Sequence, residues 1–177
     1  VVKEAEAEVI NFGRFTDGSN VTEAKLGETF GQSLNGRAVF AFQSKQWMIW
    51  NGSIWSSDDC GLMIKLAFQF ISEAKQALFD TGNHSAAGNL SSFESLNRLE
   101  NLCKLAATDR VVSLTSFDMD PMLLAAPNQW IDLKSGEAFD PDPSILVSKL
   151  IATDYCAKSE CPNFEAFLGD IFEDDLD

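Results

Sequence analysis

Trp47, Trp50 and Trp55, with the basic residues Arg37 and Lys45 nearby, are the side chains in this sequence best suited to holding a single nucleic-acid strand. Stacking of a base on an aromatic side chain contributes about 1–3 kcal/mol. The same residue types dominate burial in protein cores, so core packing is the competing reading. Asp118 and Asp120, two carboxylates at strand spacing ahead of Pro121, could hold a hard cation for a metal-dependent hydrolase. As turn residues they would instead cap the backbone before the next strand. His84 is the one histidine, and no sequence neighbour would orient it as a base, so it reads as a solvent-exposed loop residue. Cys156 and Cys161 have the spacing of a zinc half-site, but completing it needs Cys60 and Cys103, neither of which sits in a paired knuckle. All four read as reduced thiols, and neither metal nor cofactor is expected. No Gly-Lys pair is followed by Ser or Thr and no GxGxxG follows a strand, which excludes ATP hydrolysis by the usual phosphate loops.

These residues sit in a chain of 177, with 45% hydrophobic and 23% charged residues, enough for one domain with a real core. Against 27 acidic residues stand 13 basic ones, a net charge of −14, which argues against a surface that holds nucleic acid mainly by counterion release. Any DNA contact must be local. Apolar runs such as Leu123 to Ala126 fall far short of the roughly 20 residues needed to cross a bilayer. The acidic start, Val1 to Glu8, lacks the apolar region of a secretory signal, so a cytoplasmic protein without membrane contact is expected. There is no initiating Met and the chain stops in the acidic run Glu173 to Asp177, so both ends read as cuts in a longer polypeptide.

Residues 1–18 read as an arm or linker. Asn20 with Glu23 predicts a capping box for a helix over Val21 to Phe30, which Gly31 should end. Strands are expected at Ala38 to Phe42 and Gln46 to Trp50, joined by a turn over Gln43 to Lys45. Asn51-Gly52 predicts a two-residue type I′ hairpin, pairing Trp50 with Ser53, Ile49 with Ile54 and Met48 with Trp55. Met48, Trp50 and Trp55 then share one face and Trp47, Ile49 and Ile54 the other. The sheet must be covered on both sides or offer one aromatic face to a partner.

Asp58-Asp59 precedes the clearest helix, with an apolar stripe from Leu62 to Leu78. Thr81 to Asn89 reads as a mobile loop, and Ser91 with Glu94 as the capping box of a second helix antiparallel to the first. Arg98, Lys104 and Arg110 read as one basic stretch of its surface. A second β region is expected at Met122 to Ala126, Trp130 to Leu133 and Ala138-Phe139, with Gly136 in the left-handed position of a turn. Asp140 to Pro143 cannot be regular, because each Pro restricts the residue before it. Ile145 to Ile151 is apolar without a clear type. Pro162 opens a last helix whose apolar face is Phe164, Phe167, Leu168, Ile171 and Phe172. The fold class is α+β: short antiparallel meanders and hairpins packed with an antiparallel helix pair and a C-terminal helix.

Taken in order, these pieces resemble the poxvirus-type module that precedes the superfamily 3 helicase domain in phage and plasmid primase-helicases. The resemblance runs through Phe15 to Asn20, including Asp17, the Trp50-Asn51-Gly52-Ser53-Ile54-Trp55 hairpin, and the helix from Ser95 to Ala107. It continues with Asp118 to Leu124, including Asp120 and Pro121, Trp130 to Glu137, including Asp132 and Gly136, Leu146 to Leu150, and Cys161-Pro162 to Leu168. It implies a noncatalytic module over residues 19–172, with 173–177 an acidic linker toward a helicase domain. The implied partners are the primase and helicase domains of the same parent chain, other copies through that parent, and single-stranded DNA. The resemblance implies a phage, prophage or plasmid replicon as the setting. Ala125 to Trp130 departs from the family's asparagine- and glycine-rich approach to its second hairpin.

Overall fold

In the computed structural model, which describes residues 22–172, Thr22 opens the first helix, α1 (Glu23–Ser33). Its hydroxyl accepts from the Lys25 amide at 3.3 Å. Thr22 itself is extended and takes the N-cap position, while Val21, the expected first residue of the helix, lies outside the described residues. Gly31 does not end the helix. It lies inside α1, where its missing side chain lets Ala106 and Asp109 come close. Asp17, Asn20, the arm at 1–18 and the run 173–177 lie outside the described residues.

Strands β1 (Ala38–Ala41), β2 (Gln46–Trp50) and β3 (Trp55–Ser57) form the expected meander. Its second turn differs. Trp50 pairs with Trp55 and Met48 with Ser57, so the loop holds four residues, Asn51 to Ile54, rather than two. Asn51 is not in the left-handed region that a type I′ turn demands; only Gly52 is, at φ 96°. Instead the Asn51 carboxamide closes the loop, accepting from the amides of Ser53 and Ile54, both at 2.9 Å. The register moves by two, so Met48, Trp50 and Trp55 still share one face, but Ile54, expected on the other with Trp47 and Ile49, falls in the loop and packs beside Trp50 and Trp130 instead.

Asp58 caps α2 (Leu62–Asp80), taking the Leu62 and Met63 amides at 2.7 and 2.9 Å. The expected loop is in part a short helix, α3 (His84–Leu90), opened by the Asn83 side chain and held by buried Ala87 and Leu90. Ser91 to Glu94 forms a 3₁₀ turn rather than a capping box, and α4 (Leu96–Asp109) starts at Ser95. Glu94 instead pairs with Lys75. That pair and the bond from Cys103 Sγ to Met63 O, 3.6 Å, set α2 and α4 antiparallel, as expected. The intimate neighbour of α4, however, is α1: Gly27 meets Leu105 and Gly31 meets Asp109, so the two run in the same sense. Each then leads into a strand, since β4 (Val111–Val112) adds to β1 in parallel, giving the order β3-β2-β1-β4.

A second antiparallel sheet contains β5 (Leu123–Ala125), β6 (Trp130–Asp132) and β7 (Ala138–Phe139), with Gly136 left-handed at φ 74° in the last turn. The first sheet is covered on both faces. Trp47 and Ile49 pack on the helical core of Phe30, Phe70 and Leu102. Met48, Trp50 and Trp55 face the other way, toward Leu146, Trp130 and the second sheet. Residues 145–151 run extended between the sheets: Val147 O accepts from Trp55 N at 2.8 Å, and Ile151 N donates to Ala125 O at 2.9 Å. Helix α5 (Pro162–Ile171) forms as expected, with Pro162 in its first turn, but it does not pack on the meanders. It buries no residue, because the chain before it is tied down at Tyr155, on the second sheet's turn, and no described element offers its apolar face a partner. Among the described residues, no helix is long and apolar enough to cross a membrane.

Candidate functional site

The backbone separates the tryptophans that the sequence sets side by side. Alternation along β2 turns Trp47 toward the helices and Trp50 away from them, and Trp55 joins Trp50 with ring centroids 5.7 Å apart. Trp55 is 1% exposed and presents no face on which a base could stack. Arg37 and Lys45, both exposed, stand at opposite ends of the β1–β2 pair and do not share a surface. The three tryptophans and two cations are therefore not one platform.

One part of that set does meet other residues. Trp47 packs against Phe40, its cross-strand partner, at 5.4 Å, and the two floor a predominantly apolar groove of about 620 Å³. Phe42, Val111, Met63, Ile64 and Ala107 continue the lining, with Lys45 and Lys104 beside it. Phe42 is 64% and Val111 51% exposed. Two acids share the groove: Asp58, engaged as the α2 cap, and Glu100, one turn before Lys104 on α4. Cys103 also lines it, but burial, with help from Asp58 and Glu100, pushes its thiol up to about 12, which makes it a poor nucleophile. The sequence signals Trp47 and Lys45, and Lys104 as part of a basic helix surface; it carries no signal that joins them with Phe42 of the β1–β2 turn and Val111 of β4. The basic stretch expected on α4 is dispersed: Arg98 bonds Ser92 Oγ at 2.8 Å and lies over Phe93, while Arg110 bonds the carbonyl of Gly31 at 2.6 Å.

The polar residues of the recurring motifs do a different job. Asn51, Asp120 and Asp132 each accept an amide two residues on, from Ser53, Met122 and Lys134, at 2.8–2.9 Å. Asp118 clasps the extended segment, taking Ser148 N at 2.8 Å, Ser148 Oγ at 2.6 Å and Lys149 N at 3.3 Å. Asp118 and Asp120 are thus engaged in turn and clasp bonds, the alternative to a shared cation site. Pro121 opens the turn between them and β5, and Cys161 precedes Pro162 at the start of α5 without a side-chain cap. His84, exposed, lies against Phe79. Among the described residues no three His, Cys, Asp or Glu side chains are grouped to hold a metal.

These motif blocks converge on one junction. Trp130 of β6 donates its indole N–H to Ser53 O at 3.0 Å and sits edge-on to Trp50. The Asn51-Gly52 loop thereby meets the Trp130-to-Glu137 hairpin, and Asp118 ties residues 146–149 beside them. A family model described as "D5 N terminal like" matches residues 30–173. The chain belongs to the D5 N-terminal-like family. This is the module found before the helicase domain in phage and viral primase-helicases. The match takes in the module's junction, groove and α5, while Asp17 precedes it. A comparison with curated protein sequences gives no match.

Within the D5 N-terminal-like fold the Asp118 clasp carries a pH signature. Burial opposes its ionisation, yet the hydroxyl and amide of Ser148, the Lys149 amide and the Lys149 charge outweigh it and hold the carboxyl below its usual range. A depressed carboxyl adds stability above its unfolded-state pKa, and that stability is lost as pH falls through the folded value. Asp118→Ala is expected to cost about 1–3 kcal/mol at pH 7. In urea titrations its deficit relative to the parent should narrow as pH falls below about 4, the ordinary carboxyl range. An equal deficit at both ends would overturn the clasp.

Proposed function

We propose that the chain serves a DNA-replication primase-helicase of a phage, prophage or plasmid by joining its primase and helicase domains and assisting oligomer assembly or the guidance of DNA. In this reading residues 1–18 are an arm from the preceding domain, 19–172 the module and 173–177 an acidic linker toward the helicase, in a cytoplasmic protein. The observation that carries it is the family match over residues 30–173. Engagement of the motif residues in turns and the clasp supports a scaffolding role over a chemical one. Removing residues 30–173 from the parent protein is expected to impair ring assembly or unwinding. Assembly and unwinding both unchanged would retire the proposal.

Direct contact with single-stranded DNA is the second reading, favoured by the packed pair Trp47 and Phe40 lining one groove together with Lys45 and Lys104. Anisotropy at about 50 mM salt gives such a contact its best chance. Trp47→Ala should then weaken binding about 5- to 150-fold, the equivalent of one stacked base. Unchanged binding would exclude the groove as a DNA site.

A further inference from the structure

Among the described residues, a groove and a helix face expose clustered apolar side chains without a partner. One is the groove, with Phe42 and Val111 more than half exposed at its edge. The other is α5, where Phe164, Phe167 and Ile171 are 57%, 55% and 55% exposed. Phe164, Phe167, Leu168 and Ile171 fall at i, i+3, i+4 and i+7, the anchor spacing by which an amphipathic helix lies in a groove. We propose that α5 of one copy docks in the Trp47 groove of a second copy.

Charge matches the two. The helix carries Glu165 and Asp170 and no basic residue, and the sequence continues Glu173-Asp174-Asp175. Lys45 and Lys104 flank the groove and make no ion pair among the described residues. Of the two acids there, Asp58 is engaged by the α2 amides and Glu100 lies one turn from Lys104 on α4, so Lys45 is the groove cation with no acid on its own turn.

Connectivity selects a second copy over the same one. Asn128, in the turn between β5 and β6, holds Tyr155 by two hydrogen bonds: its carboxamide oxygen accepts Tyr155 N at 2.8 Å, and its nitrogen donates to Tyr155 O at 3.0 Å. Only residues 156–161 remain free before α5, a span of about 20 Å fully extended, and the bond from Ser159 N to Cys156 O shortens it. That anchor lies on the second sheet, across the first sheet from the groove. A helix tethered there starts on the opposite side of the first sheet from its own groove, and the short tether must carry it around that sheet to reach it. Because donor and acceptor surfaces differ, the contact is heterologous and repeats head to tail, closing into a ring or extending. This deepens the assembly role proposed above and rests on it.

The test uses two substitutions at already exposed positions, Phe167→Asp on α5 and Phe42→Asp in the groove, with circular dichroism to verify folding. The unmodified chain should show, by analytical ultracentrifugation, a mass rising above 19.5 kDa between about 1 and 200 µM, where small interfaces dissociate. Each variant alone should stay monomeric. Mixed, they should form a one-to-one dimer and no more, since the first retains an intact groove and the second an intact helix. A peptide of residues 160–174 should compete, and Phe42→Asp should lose its binding. A monomeric chain, or a mixture that fails to pair, overturns the docking. Peptide binding by a monomer assigns the groove to its own α5, and DNA binding lost in Phe42→Asp assigns it to the single strand; both also overturn it. The assembly role is read separately from unwinding by the parent, which can survive the loss of this contact.

Discussion

Trp130→Ala is expected to remove about 3–5 kcal/mol of stability and to lower the melting temperature by about 6–20 °C. Trp130 is fully buried, edge-on to both Trp50 and Phe139, and bonded through its indole N–H to Ser53 O. Truncation opens a cavity between the two sheets and leaves the Ser53 carbonyl without that donor. Trp55, 1% exposed, supplies the control, because its indole nitrogen has no acceptor among the described residues. Trp130→Phe should therefore lose a hydrogen bond as well as volume, about 1 kcal/mol beyond the cost of Trp55→Phe. Denaturant titrations of the three variants decide it, and equal losses for the two Phe variants would show that the Ser53 bond contributes nothing. One practical consequence concerns DNA assays. A defect in Trp55→Ala reports folding, whereas Trp47, which lines the groove but also packs on the helical core, reads binding once circular dichroism verifies that Trp47→Ala is folded.

Local chemistry made much of this architecture readable. The stripe from Leu62 to Leu78 is helical because its apolar period has no alternative, and Asp58 caps it because a carboxylate there meets free amides. Gly136 takes the left-handed turn position, and Pro162 sits in the first turn of α5. What escaped were features that depend on residues distant in the chain. The Asn51-Gly52 pair signals a hairpin, but whether two or four residues form the loop depends on Trp130 drawing Ser53 toward the second sheet. The two-residue strand at Val111-Val112 is too short to carry a pattern and exists because β1 offers it a parallel edge. Asn83 had the residue type of a helix cap, yet the small residues after it masked a helix that Ala87 and Leu90 hold by packing. The groove was the least legible, since Phe42, Lys104 and Val111 acquire meaning only when the β1–β2 turn, α4 and β4 are side by side. Gly31 eludes the sequence for a related reason: its type signals a helix stop, but the residue serves the close approach of a neighbouring helix.

That neighbour makes Gly27→Ala the second large effect. The spacing Gly27-x-x-x-Gly31 puts both glycines on the face of α1 that meets α4. A Cβ at Gly27 would overlap Leu105 Cβ, while one at Gly31 would sit 3.0 Å from Asp109 Oδ2 and 3.3 Å from the Ala106 carbonyl. Alanine gains up to about 1 kcal/mol of helix propensity over glycine, and overpacking of this kind costs about 1–3 kcal/mol. Leu105 Cβ is fixed to the backbone and cannot rotate away, so overpacking wins and a net loss of about 1–2 kcal/mol is expected. The partner variants locate the clash. Leu105→Ala keeps the Cβ and should not rescue Gly27→Ala, whereas Leu105→Gly removes it and should show a favourable coupling of about 1 kcal/mol or more in a double-mutant cycle. Because α1 and α4 lead directly into β1 and β4, forcing them apart also strains the Phe40 and Val111 pairing that floors the groove. Groove ligands should therefore bind more weakly to Gly27→Ala even under conditions where it stays folded, and unchanged affinity there would show that the helix contact and the groove are independent.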